Sequence, residues 1–246
     1  MARTFRYSDI LSIVSKQFPR IVEDQYASIC SNMATNLIWY AYDWRESLLT
    51  LPPFWLTPGE QDYKPPATVI PADFGGLRKT FVSHISGGTT VTTPIKPQQD
   101  LQVTHVVGIP QSISYEASIG GFRLFPRTPR SLGSPYWLIQ GTYKCKPSVI
   151  NNSTLETLVP FDDMYLNQMV DVMRWAFMSA AGDQRAGQVT VSNGVPQFSG
   201  QFGVAVNAID MMASHEGLLQ NDPMISPDSP LAYTGYQTGA ISLWRW

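Results

Sequence analysis

The residues that could carry out acid–base, metal or thiol chemistry are few and lie far apart. His84, His105 and His215 lack the spacing of metal ligands, and Cys30 and Cys145 form no CxxC pair. A histidine in such isolation is more often an ordinary core or surface residue than a ligand. We therefore interpret the three histidines as structural and the two cysteines as reduced thiols.

The adjacent carboxylates Asp162 and Asp163 could in principle form an acid–base or metal site. Neighbouring residues on a helix point in different directions, so this pair favours a helix N-terminus, where acidic side chains cap backbone N–H groups. Motifs of serine hydrolases, zinc proteases, dinucleotide-binding proteins and P-loop proteins are absent. The sequence predicts a protein that is not an enzyme, with no catalytic residue, no cofactor and no metal.

Basic residues are concentrated in two places, at Arg78-Lys79 and at Arg123, Arg127 and Arg130, of which Arg127 and Arg130 lie in a turn-rich loop. Arg127 and Arg130 could contact DNA or an acidic neighbour, or they could lie in a solvated loop. A formal net charge of -2 and a pI near 5.9 argue against a surface built to hold phosphates. Charged residues make up 15% of the chain, below the usual fraction of about 25%, which favours a surface partly covered by protein partners.

The elements that must position these residues follow in the order helix, β-structure, helix and irregular tail. Helices are predicted from Ser8 onward, from Ile21 to Trp44, from Asp162 to Gly182 and from Gln197 to Glu216. In the second helix the apolar residues step by three and four, which predicts one buried face. These residues are Tyr26, Ile29, Cys30, Met33, Leu37, Tyr40, Ala41 and Trp44.

Prolines and glycines punctuate short β-rich runs between residues 51 and 150, among them Leu101 to Val107. The expected fold class is α+β, a helical bundle with an inserted antiparallel β subdomain and an extended C-terminal tail. The predicted domains are 1–50 and 151–217 for the bundle, 51–150 for the β subdomain and 218–246 for the tail. The first residues lack an apolar signal core, and no apolar stretch is long enough for a membrane span, which predicts a cytoplasmic protein without membrane contact.

The tail lacks periodicity but is rich in aromatic residues, unlike a segment that stays disordered. We expect it to dock on a neighbouring subunit or on another partner. The residues predicted to make this contact are Tyr233, Tyr236, Trp244, Arg245 and Trp246.

A second aromatic concentration runs from Trp39 to Trp44 and continues with Phe54-Trp55. It could form a platform for a sugar, because aromatic faces stack on apolar ring faces. A core where a helix meets a sheet is the more common role of such a cluster.

Seven short motifs follow one another along the chain. They are Trp39 to Glu46, Phe54-Trp-Leu, Gly59-Glu-Gln-Asp-Tyr63, Ile70-Pro-Ala-Asp-Phe74, Gly121-Phe-Arg-Leu-Phe-Pro126, Tyr143-Lys-Cys-Lys-Pro147 and Pro160-Phe-Asp-Asp-Met-Tyr165. Their order resembles that of the head-to-tail adaptor, or head-completion, proteins of tailed phages, and the likeness covers about Ser8 to Gly217.

This resemblance implies a structural virion protein in the phage neck, assembled in the host cytoplasm. Copies of the chain would form a dodecameric ring between the portal of the head and a tail or stopper protein. Duplex DNA would pass through the ring without sequence-specific contacts. Two alternatives remain open at this point: a tail-tube or tail-completion subunit, and, more distantly, a carbohydrate-binding module.

Overall fold

The computed structural model of the chain describes residues 3–18, 24–65, 70–86, 88–98, 101–103, 105–130, 137–192 and 195–218. It divides into two compact units. The helical unit draws on Met1–Glu46 and Pro147–Trp246, and the sheet unit on Ser47–Lys146. Each unit buries apolar residues of its own.

Helix α3 is central to the helical unit because it packs against each of the other three α-helices of the described residues. Residues Met169, Met173 and Phe177 recur at helical spacing and are buried, so they form the apolar stripe of this helix. The four helices are α1 (Tyr7–Ser15), α2 (Asp24–Ala41), α3 (Leu166–Ala180) and α4 (Gly200–His215).

Local polar contacts fix where helices begin and end. The backbone N–H of Arg6 donates to Asp9 Oδ2 at 2.9 Å, which closes the first turn of α1. Asp163 accepts hydrogen bonds from the backbone N–H and hydroxyl of Thr4, so it ties the N-terminal segment to the start of α3. Asp162 is the N-cap residue of the 3-10 turn Asp163–Tyr165 that leads into α3, but its side chain makes no capping hydrogen bond. Gly182 follows α3 with φ +66°, as expected for a glycine at a helix C-terminus.

A curled, mixed seven-stranded sheet forms the sheet unit, with strand order β1-β7-β3-β4-β5-β6-β2. All neighbouring strands pair antiparallel except β4 and β5, which are parallel over a short stretch. The strands are β1 (Leu48–Leu56), β2 (Asp62–Tyr63), β3 (Phe74–Ser86), β4 (Thr89–Pro97), β5 (Ser112–Glu116), β6 (Gly121–Phe125) and β7 (Trp137–Cys145).

The predicted fold class is wrong: the dominant element is this curled sheet, and the chain is not a helical bundle carrying a small β insertion. Helical periodicity is visible in the sequence, whereas the pairing of strands is not. The sequence therefore predicted the helices, and not the sheet, as the main element of the fold. Strand β4 was missed because it contains Pro94, and a proline argues against a strand with neighbours on both sides. β4 pairs with β5 only near Lys96 and Pro97, so at Pro94 no strand pairs with β4 on the side away from β3. A proline is tolerated at such an unpaired edge.

Two further predictions fail locally. Residues 101–103 and 105–106 form no strand, and Val107 makes only an isolated bridge to Arg127. The last helix begins at Gly200 and not at Gln197, because Gln197 belongs to a hairpin of β8 (Val189–Ser192) and β9 (Val195–Phe198).

Candidate interaction surfaces

The residues with catalytic potential do not converge in the described part of the chain. The ring of His84 stacks on Trp137 with centroids 4.5 Å apart, His105 is exposed, and His215 ends α4. Among the described residues, no group of three or more His, Cys, Asp or Glu side chains could hold a metal ion. Burial raises the pKa of Cys30 to about 12, so this thiol is protonated and unreactive at neutral pH.

A polar pair joins Tyr42, the residue after α2, to α4. The Tyr42 hydroxyl donates to Asp210 Oδ1 at 2.7 Å. Burial raises the pKa of the Asp210 carboxyl, and the hydrogen bond from Tyr42 opposes that shift. Asp210 is the only acidic residue within α4, and its side chain is half-buried.

Helix α2 has a second apolar face that the sequence analysis placed in the core. Tyr26 is 39% exposed and Ile29 is 43% exposed, and the half-buried Met33 follows on the same face. Cys30 and Leu37 are buried as predicted, and Ala34 and Ile38, which were not predicted, complete the buried face. We call Tyr26, Ile29 and Met33 the α2 stripe. Asp24 is the only charged residue of this helix.

Helix α4 carries a comparable face. Val204 is 43% exposed and Met211 is 60% exposed, and two turns separate them. The uncharged Asn207 and Ser214 are exposed on the same side of the helix, at the spacings of three and four that place residues on one face. We call Val204, Asn207, Met211 and Ser214 the α4 stripe. Both helices pack on α3, and the stripes are the sides left exposed.

The sheet unit has a net positive charge, unlike the rest of the chain. Its sequence carries nine Lys and Arg and five Asp and Glu, a formal charge of +4, whereas the rest of the chain sums to -6. The Arg123 guanidinium bonds both carboxylate oxygens of Asp62, at 2.6 and 2.9 Å, and lies 3.9 Å from Glu116. The Arg123 hydrogen bond holds the pKa of Asp62 below its usual value.

The predicted basic loop is part of the sheet unit. Arg127 is half-buried, and its backbone pairs with Val106 and Gly108. Arg130 is exposed, and its side chain leaves no room for a Cβ atom at Gly59. Their contact with DNA or an acidic neighbour stays a prediction. The predicted tail contacts, at Tyr233, Tyr236, Trp244, Arg245 and Trp246, lie outside the described residues.

Residues from motifs that are distant in sequence meet in the cores of the two units. In the sheet unit, Phe54 stacks on Tyr63 and Phe122 with ring centroids 5.3 and 5.2 Å apart, and Phe74 stacks on Tyr143 at 5.5 Å. These five residues come from five of the motifs quoted above.

The helical unit has an equivalent cluster. Trp39 and Trp44 pack edge-on against Phe161 with ring centroids 6.0 and 5.6 Å apart. The aromatic motif residues thus pack within each unit, Trp39 and Trp44 in the helical unit and Phe54 in the sheet unit. Trp55 differs from them, because its side chain is 55% exposed.

Charge-poor outer faces are the feature that the sequence reasoning missed. The signal was present in α2, where apolar residues surround the helix instead of forming one stripe. No helix in the described residues is long and apolar enough to cross a membrane. The chain matches no known family model and no curated protein.

Proposed function

We propose that this chain is a structural virion protein, a subunit of an adaptor ring that joins the portal of a phage head to its tail. The observation that carries the proposal is the pair of uncharged, partly apolar stripes on α2 and α4. Interface cores are depleted in charged residues, and Met and aromatic residues are enriched there. The order of the sequence motifs, whose aromatic residues build the two cores, supports the choice of this family.

Two different stripes on one subunit fit a head-to-tail arrangement. When one surface of a subunit binds a different surface of the next copy, the contact repeats and closes into a ring if the rotation allows. In our proposal the α2 stripe of one copy contacts the α4 stripe of the next. The role is mechanical: the ring holds the portal and the tail together and leaves a lumen for DNA. The low charge of the chain suits a duplex that must slide, since strong phosphate contacts would hold it.

A second candidate is a tail-tube or tail-completion subunit. Tube subunits are usually built on β-structure, and the curled seven-stranded sheet favours this candidate more than a helical bundle would have done. Four α-helices in the described residues favour the adaptor.

The test is binding to purified phage portal, imaged by negative stain. Wild-type protein is expected to form a ring on the portal. Ile29→Asp and Met211→Asp are expected to prevent the ring, because each would place a carboxylate in an apolar contact. Asn167→Asp is the matched control: this exposed position lies on α3 and belongs to neither stripe.

A truncated chain without residues Leu231 to Trp246 tests the tail prediction in the same images. We expect it to fold and to lose docking to the portal. Wild-type protein that forms no ring on the portal and assembles into tubes would favour the tail-tube candidate.

A further inference from the structure

The outer face of the large sheet carries a row of cross-strand neighbours around Trp55. Trp55 on β1 lies opposite Leu138 on β7, which lies opposite Ser83 on β3. Directly opposed residues in a sheet project from the same face, and residues two apart in a strand also share a face. Phe81 and Gln140 therefore form a second row beside the first. We call these five residues, together with Thr92 opposite Ser83, the Trp55 face.

The opposite side of the same strands forms the core. Phe54, Ile139 and Val82 are directly opposed across β1, β7 and β3, and all three are buried. The Trp55 face is thus the outward side of the sheet, where Trp55 keeps 55% of its surface exposed.

No charged residue lies on the strand segments that make up this face. Residues 48–56, 80–85, 89–95 and 137–143 contain no Asp, Glu, Lys or Arg. Outward sheet faces and edges ordinarily carry charges that prevent association. An uncharged outward face therefore calls for an occupant that is itself neutral.

The polar groups of the face are hydroxyls and an amide, set beside the indole. The Ser83 and Thr92 hydroxyls are 2.9 Å apart, and Gln140 Nε2 donates to Ser83 Oγ at 3.4 Å. A hydroxyl has both donor and acceptor capacity, and an amide offers two donors and an acceptor, so such a row can exchange hydrogen bonds with ligand hydroxyls. The indole offers a flat apolar surface with a negative face, which attracts the C–H groups of a sugar ring.

The size of the face distinguishes a small ligand from a stable protein partner. Four strands about 4.8 Å apart and two rows of side chains give a surface of about 15 by 10 Å. A stable protein interface covers about 800 Å² on each partner, several times more. An oligosaccharide of a few units matches both the area and the chemistry.

We propose that the Trp55 face binds a short neutral oligosaccharide. The indole of Trp55 stacks on a sugar ring, and Gln140 and the exposed Thr92 hydroxyl bond the sugar hydroxyls. The Ser83 hydroxyl is buried and positions Thr92 and Gln140 through its own hydrogen bonds. This site is separate from the helix stripes and does not depend on the adaptor role.

The experiment is an array of short neutral oligosaccharides of hexose and N-acetylhexosamine units, probed with the full chain. Trp55→Ala is expected to weaken binding at least about tenfold, and Gln140→Ala about threefold to tenfold, as for the loss of one hydrogen bond. Leu49→Ala is the matched control. This residue is exposed on the same strand, but it lies opposite Tyr143 on the core side of the sheet.

Binding that Trp55→Ala removes and Leu49→Ala retains would support the site, provided that circular dichroism shows both variants folded. An array on which no oligosaccharide distinguishes wild type from Trp55→Ala would overturn the proposal. Trp55-dependent self-association in sedimentation, without binding to any sugar, would also overturn it and would identify the face as a protein contact.

Discussion

The outer faces of α2 and α4 in the helical unit and the β2–β6 edge of the sheet unit differ in how they carry charge. In the helical unit, α4 keeps its one carboxylate, Asp210, half-buried beneath the hydroxyl of Tyr42, and the stripes of α2 and α4 carry no charge. In the sheet unit, Asp62 remains near the surface and is paired with Arg123. A buried ion must be compensated, whereas a surface pair is screened and contributes little.

This difference indicates where association energy can reside. Uncharged helix faces lose little on desolvation and gain from apolar contact. The basic excess of the sheet unit, at +4, would instead act at longer range on negative partners. The helical unit is accordingly the part we expect to hold neighbouring subunits together.

The largest expected effect comes from the aromatic core of each unit. Trp44 and Phe122 are both fully buried, and replacing either with alanine should lower the free energy of unfolding by about 3–5 kcal/mol. Denaturant titration followed by circular dichroism measures the change. Val191→Ala, at an exposed position, serves as the control and should change stability by less than about 0.5 kcal/mol. A core variant as stable as this control would show that the corresponding cluster does not support its unit.

The Tyr42–Asp210 pair should give the next effect. Tyr42→Phe leaves the Asp210 carboxyl without its hydroxyl donor. This change should lower the free energy of unfolding by about 1–3 kcal/mol. Tyr26→Phe, at a 39% exposed position of α2, is the comparison variant and should lower the free energy of unfolding less. Equal losses in the two variants would contradict a specific role for the pair.

The pH dependence of Asp210 is opposite to that of Asp62. Because burial raises the folded-state pKa of Asp210, the folded protein holds this proton more tightly than the unfolded chain does, and stability falls as pH rises through that pKa. Asp210→Asn should therefore gain stability relative to wild type as pH is raised from about 4 to about 8. A relative stability that does not change over this range would contradict the assignment.

The smallest effect is expected at the surface pair of the sheet unit. Asp62→Asn should cost less than about 1 kcal/mol at neutral pH, since the pair is partly exposed and screened. Because the pKa of Asp62 is lowered in the folded state, the difference from wild type should shrink as pH falls through that pKa. Added salt should also reduce it. A decrease in the free energy of unfolding as large as that of Tyr42→Phe would contradict the difference that we describe between the two pairs.

Features with a local signal could be predicted from the sequence. The buried stripe of α3, with Met169 and Met173, and that of α4, with Phe202 and Ile209, follow from helical spacing alone. The packing role of Trp44 also follows from its place in an aromatic cluster.

Features that depend on pairing between distant segments could not be predicted from the sequence. The β1–β7 and β4–β5 ladders join strands that no local pattern links, so the sheet and its outward face at Trp55 were hidden. Tyr26 and Ile29 were misplaced for a related reason. An apolar residue at helical spacing can serve the core of its own subunit or a contact with another, and spacing does not distinguish the two.

The most direct test of the proposed head-to-tail contact is disulfide cross-linking between copies. Ile29→Cys and Met211→Cys proteins are mixed on purified portal and oxidised. The native thiols of Cys30 and Cys145 are buried, so we expect the cross-links to form between the introduced cysteines. Our account predicts cross-linked dimers in the mixture and none in either variant alone; a double variant should give a ladder of higher oligomers. Rings that form on the portal without any bond between positions 29 and 211 would contradict it.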